Sequence, residues 1–165
     1  MRTTFLLLGL AVLSLAACVK PPEYPIEPEL TFLGLSRDSM VQGATLEDSI
    51  LVRLGFTDGD GDITPDAEST EPNVFVVNRR TNETVSSFKL DPIDEPGAEN
   101  GISGDLTLVV FTTCCDYPDF VLEFPCTPSE AYPVDTLELE AFLIDRAGNE
   151  SNRVALAPVF LICNR

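Results

Sequence analysis

Residues 49–57 alternate strictly. Ile50, Val52, Leu54 and Phe56 fall on one side of an extended chain, and Leu51, Arg53, Gly55 and Thr57 on the other. Side chains leave a strand with a period of two, so this stretch predicts a strand with one face turned into a core. Residues 73–78 and 84–90 predict two more strands, joined by the polar turn Arg79-Arg80-Thr81-Asn82-Glu83. Residues 105–113 and 120–124 are rich in β-formers. Residues 135–145 alternate again, with Leu137, Leu139, Ala141 and Leu143 on one side. Residues 154–162 close the chain, and Pro158 within them predicts an edge strand. Seven or eight short strands separated by Gly, Pro and Asp turns predict an all-β fold, an antiparallel sandwich built as one domain. If Leu137 and Leu139 face inward, Phe142 and Ile144 beside Glu138 and Glu140 form a candidate partner surface. Alternation alone does not say which side is the inner one.

The amino terminus follows another pattern. Met1-Arg2 precedes an apolar run over residues 5–17 that ends in Leu15-Ala16-Ala17-Cys18. One positive charge, a short apolar stretch and small residues before a cleavage point describe an export signal. These 13 residues fall short of the roughly 20 that a membrane-crossing helix needs. The Leu-Ala-Ala-Cys ending resembles the lipobox of bacterial lipoproteins. That resemblance implies a diacylglycerol on the Cys18 sulfur, cleavage before Cys18, and a mature protein held to a membrane by lipid. Val19 and Lys20 come next; the lack of aspartate at the second mature position implies, by the same resemblance, sorting to the outer membrane. Whether the domain faces the periplasm or the medium is left open. The chain then divides into a signal peptide (1–17), a spacer (18–29) and the sandwich domain (30–165). Pro21, Pro22, Pro25 and Pro28 make the spacer extended and bar a helix from it.

Cleavage before Cys18 takes 17 of the 165 residues and leaves 148, enough for one domain with its own core. It removes one of ten basic residues and none of the 27 acidic ones, so the formal charge moves from −17 to −18. Such a surface repels nucleic acid and anionic lipid, which excludes nucleic acid as a partner and favours cations or a basic protein. The chain has no histidine, which rules out Ser-His-Asp and Cys-His nucleophiles and His-ligated zinc. A hydrolase using paired carboxylates on glycans stays chemically open. However, 148 residues that must also build a β core leave little room for an enclosed cleft, so no catalytic activity is expected. The five cysteines divide into Cys18 and a group of four, Cys114, Cys115, Cys126 and Cys163. In an exported chain the four predict disulfides. Three pairings exist; a bond between the neighbours Cys114 and Cys115 would be strained, so each is expected to reach a distant partner. The bonds would staple the 114–126 loop and the carboxyl terminus.

The segment following the first strand reads Asp58-Gly59-Asp60-Gly61-Asp62, with Asp66 at position nine counted from Asp58. Alternate aspartates on a chain that glycine lets curl present hard oxygen ligands to one point, and Ca²⁺ takes about 6–8 of them. The spacing is similar to the calcium loops of thrombospondin type 3 repeats and integrin propellers, with Ile63 standing where those families carry glycine. A second loop, between the last two predicted strands, holds Asp145, Gly148, Asn149 and Ser151. Strand, Asp-x-x-Gly-Asn-x-Ser, strand resembles the final hairpin of bacterial immunoglobulin-like and cadherin-like domains. The resemblance implies an immunoglobulin-like sandwich in which the loop after the second strand and the last hairpin share one end. Asp58 and Asp145 would then be neighbours despite 87 positions between them. Cadherin-like domains bind calcium through acidic residues of these loops, which implies Asp58, Asp60, Asp62, Asp66 and Asp145 as ligands. The plain alternative is a solvated acidic turn, with Asp145 bonding only the backbone of Gly148 and Asn149 in left-handed geometry.

Taken together, these features predict a lipid-anchored binding or structural protein of the cell envelope, stabilised by Ca²⁺ at its acidic loops. An accessory interaction subunit of an envelope complex, working without metal through a protein partner, is the alternative, and a carboxylate-dependent glycan hydrolase stands third.

Overall fold

A computed structural model describes residues 23–93, 101–118 and 124–165. The signal peptide, Cys18 and most of the strand expected at 120–124 lie outside the described residues. Ten strands and no helix are found among the described residues. They are β1 (Glu29–Leu35), β2 (Ser39–Val41), β3 (Ser49–Asp58), β4 (Val74–Asn78), β5 (Glu83–Phe88), β6 (Ile102–Phe111), β7 (Val134–Leu137), β8 (Leu139–Leu143), β9 (Val154–Ala155) and β10 (Val159–Ile162).

One layer has the order β1-β3-β6. The other is divided into β5-β4-β8-β9 and β2-β10-β7. Glu138 alone separates β7 from β8, and the Leu156 amide donates to Leu139 O at 2.9 Å between β9 and β10. Each pair is therefore one strand with a bend, which reduces the ten to eight. The order β1-β3-β6 against β5-β4-β8-β9 is A-B-E against C′-C-F-G, the immunoglobulin-like arrangement. Every pairing is antiparallel except β2 with β10. That exception arises because the chain leaves the first layer after β1: Ser36 N still bonds Leu51 O at 2.9 Å, whereas Phe160 N bonds Asp38 O at 2.8 Å. The first strand thus serves both layers.

The period-two reading of β3 holds along its length. Ile50, Val52, Leu54 and Phe56 are buried, and Leu51 and Arg53 are exposed. Across the register Ile50 meets Val110 and Val52 meets Leu108, both buried. From the facing layer come Leu139, Ala141 and Leu143, each at most 1 % exposed. Burial of a side chain of this size contributes about 1.5–3 kcal/mol, so the two inner stripes fix the register.

Two expectations are corrected. The closing strand is an edge only in its first half: β9 ends the sheet β5-β4-β8-β9, whereas β10 is paired on both sides, by β2 and β7. Pro158 falls in the gap between β9 and β10, where a missing N–H interrupts no ladder. Nor is Phe142 an open partner surface. It stacks on Phe75 with centroids 5.1 Å apart, and the Arg153 guanidinium covers its ring at 4.0 Å. Glu140 and Glu150 hold Arg153 there at 3.0 Å each, and Ile144 is half-buried. The outer face of β4 and β8 is closed by its own side chains.

β3 runs ten residues, about 33 Å, and its ends define two very different poles. At one, Asp58 ends β3 and Asp145 follows the end of β8. At the other, β6 runs into Cys114 and Cys115, which bond Cys126 and Cys163. These bridges close loops separated by 12 and 48 positions, and neighbouring cysteines are not joined to each other.

Candidate metal centre

Asp58, the last residue of β3, follows the inward phase of Phe56 and so turns into the sandwich end rather than out to water. It is 0 % exposed. Gly61, at φ 75°, then curls the chain back in a conformation that favours glycine. The curl brings Asp60 and Asp62 round to the same point: Asp58, Asp60, Asp62 and Asp145 each offer a carboxylate oxygen, and those oxygens lie within 4.8 Å of one another. Two loops far apart in the chain therefore build one acidic tip.

Neither oxygen of Asp58 has a hydrogen-bond partner, and Oδ1 of Asp62 has none either. Burial, followed by the charges of Asp60, Asp62 and Asp145, pushes the Asp58 carboxyl up to about 6; the Asp62 amide pulls the other way without reaching hydrogen-bond geometry. Asp62 is raised too, by burial first and then by Asp145 and Asp60, against the Ala147 amide. Two unit charges at 4.8 Å repel by about 3–4 kcal/mol at an effective dielectric of 20. A turn's own hydrogen bonds, about 1 kcal/mol each, do not offset that. The arrangement could accommodate a positive charge.

Asp145 is held differently. Asn149 donates twice to its carboxylate, from N to Oδ1 at 2.7 Å and from Nδ2 to Oδ2 at 2.8 Å. Its contact with Gly148 is through the backbone only, Gly148 N to Asp145 O at 3.3 Å. Gly148, not Asn149, takes the positive φ, at 93°. Asn149 is the residue that aims Asp145, and each oxygen keeps a lone pair for a further ligand.

Asp66 does not join the group. Its side chain is 72 % exposed and pairs with Arg146 Nε at 3.7 Å. Arg146 was not foreseen as part of the tip, yet it ties the two loops: its amide donates to Asp62 O at 3.0 Å and its Nε to Thr64 O at 3.1 Å. Asn73 is the second such residue. Buried at 6 % exposure, it donates from Nδ2 to Ile63 O at 2.9 Å and Ile144 O at 3.2 Å, and accepts from Leu90 N at 2.9 Å. In the sequence it is an asparagine at a strand start, indistinguishable from a turn residue.

A cavity of about 680 Å³ lies at the other pole, lined by Arg80, Asp116, Tyr117, Tyr132, Val134 and Asp135. Its two carboxylates share Arg80, which grips Asp135 with both nitrogens at 2.8 Å. Burial opposes it, but that pairing holds the Asp135 carboxyl below the ordinary range, the wrong direction for a general acid. Comparison of the chain with family models, with curated proteins and with solved structures finds no match. The acidic tip is therefore read from its geometry alone: four oxygen donors that could hold a metal ion.

Proposed function

We propose that this protein is a lipid-anchored binding and structural module of the cell envelope whose sandwich tip is made rigid by calcium. The observation that carries the reading is Asp58, closed off from water with both oxygens unpartnered amid three other carboxylates. A buried, unpaired carboxylate is costly, and a bound cation relieves the cost. The donors are all oxygen, since the chain has no histidine and Cys114, Cys115, Cys126 and Cys163 are consumed in disulfides. Oxygen-only sites suit hard cations, and an irregular loop suits the flexible shell of Ca²⁺ better than the strict octahedron of Mg²⁺. The disulfides accord with an oxidising compartment outside the cytoplasm. The anchor rests on the Leu15-Ala16-Ala17-Cys18 motif, with the outer membrane as its proposed place.

The test is thermal unfolding of the full chain in calcium and in chelator. Calcium at about 100 times its Kd adds about 2.7 kcal/mol, which in a domain of this size raises Tm by roughly 5–10 °C. Asp60→Asn, an exposed position, leaves the chelated protein near its original Tm and removes most of the calcium shift. Identical melting curves with and without calcium would eliminate the cation from the account.

A further inference from the structure

The segment that leads into the sandwich crosses the acidic tip. Glu29, the first residue of β1, pairs with Thr57, so the residues before it run past the end of β3. There Tyr24 and Pro25 lie directly on Gly59. A Cβ added to Gly59 would stand 2.4 Å from the carbonyl oxygen of Pro25 and 2.5 Å from that of Tyr24, closer than real Cβ atoms approach backbone. Gly59 is not among the positive-φ residues; the close approach of the segment is what demands glycine there. Gly101, before β6, forms the second wall. Its Cβ would stand 3.0 Å from the Tyr24 ring, 3.1 Å from Asp58 O and 3.4 Å from Gly59 O. Tyr24 is half-buried in this notch, and Pro28 is buried as the chain enters β1.

Building on the calcium reading above, we propose that cation binding at Asp58, Asp60, Asp62 and Asp145 and the docking of residues 23–28 stabilise one another, so that the entering segment is a working part of the site. Gly59 is covalently placed between two of the proposed ligands, and it cannot shift without Asp58 and Asp60. With no cation, repulsion among the carboxylates drives the loop outward and disturbs the seat of Tyr24 and Pro25. With the cation in place the loop is fixed and the seat is preserved. Conversely, the segment packs on the backbone of Asp58 and Gly59 and holds the loop in the closed form that presents Asp58 and Asp60 together, which lowers the cost of gathering the carboxylates around the ion. Linkage makes the two effects equal in size. The cation then sets how stiffly the domain is joined to whatever precedes residue 23.

Calcium is titrated by calorimetry into the full wild-type chain, Tyr24→Ala and Gly59→Ala, and amide exchange at Tyr24, Ile26 and Glu27 is followed in calcium and in chelator. The expected result is a Kd at least about fivefold weaker in both variants, with calcium slowing exchange at those amides by a similar factor. Tyr24→Ala removes only a half-buried ring and keeps the test open if Gly59→Ala fails to fold. Wild-type affinity in Tyr24→Ala overturns the coupling and leaves the calcium site standing; absence of binding in the wild type overturns both.

Discussion

Gln42 and Asp58 are both polar, both closed off from water, and they sit at opposite poles of the sandwich. Gln42 is fully served: Nε2 donates to Cys163 O at 2.6 Å and Thr127 O at 3.3 Å, and Oε1 accepts from Cys115 N at 3.2 Å. Asp58 receives nothing on either oxygen. Around Gln42 the chain is cross-linked by Cys114–Cys126 and Cys115–Cys163; around Asp58 the neighbours are further carboxylates. One pole is complete as a covalent and hydrogen-bonded structure. The other leaves a buried carboxylate without a partner. Buried polar groups are ordinarily paired, so the contrast is what supports the proposal of a cation at the acidic pole.

The largest effect should come from cutting the finished pole. Cys115 and Cys163 are 48 positions apart, and closing a loop of that length removes about 4 kcal/mol of unfolded-chain entropy. Both cysteines are buried in the core. Cys115→Ala with Cys163→Ala is expected to lower stability in urea by about 4 kcal/mol while leaving calcium affinity within twofold, because the acidic tip lies at the other end of the sandwich. A large loss of affinity in that double variant would show that the poles are not independent.

The next effect sharpens the comparison from the acidic side. Asn73 is to that pole what Gln42 is to the other, one buried amide bonding three backbone groups of separate segments. Asn73→Ala strands Ile63 O, Ile144 O and Leu90 N and should cost about 2–3 kcal/mol. It should also weaken calcium binding, since Asp62 and Asp145 are each next to a residue that Asn73 holds. Replacement with wild-type calcium affinity would show that the loops are positioned without it.

The layout of β3 and β8 was legible because their apolar residues alternate, and a one-residue slip would expose every one of them. The meeting of Asp58 with Asp145 was legible because two loops with recognisable strand-end chemistry must share an end in a sandwich of this order. What alternation could not reveal was partnership. Nothing in Ser39-Met40-Val41 announces a parallel strand beside β10, and Pro158 reads as an edge signal when its actual place is a bend. The roles of Asn73 and Arg146 depend on backbone groups brought close only by folding, 82 positions away in the case of Arg146 and Thr64. Asp66 fitted the ligand spacing, but Arg146 is the group it faces, a choice that spacing along one loop does not contain.

The smallest effect, and the one that separates the poles most directly, is the response to pH. At the stapled pole two half-buried carboxylates are partnered. Asp48 meets the Val41 amide and Arg37, and Asp135 meets Arg80, so despite burial both are held below the ordinary value. Their contribution is present above that value and is lost as pH falls through their lower folded values. Asp58 runs the other way. Its folded value of about 6 lies above the ordinary 3.8, so the metal-free fold takes up a proton that the unfolded chain does not, and stability declines as pH rises from about 4 to about 6. The full shift would correspond to about 3 kcal/mol; with the rim of the loop open to solvent at Asp60, about 1–2 kcal/mol is the expected loss. Urea midpoints measured in chelator across that interval should fall with pH, calcium should reverse the trend above pH 6, and Asp58→Asn should flatten it. An equally steep decline in Asp58→Asn would assign the slope to other carboxylates and remove Asp58 from the centre of the acidic pole.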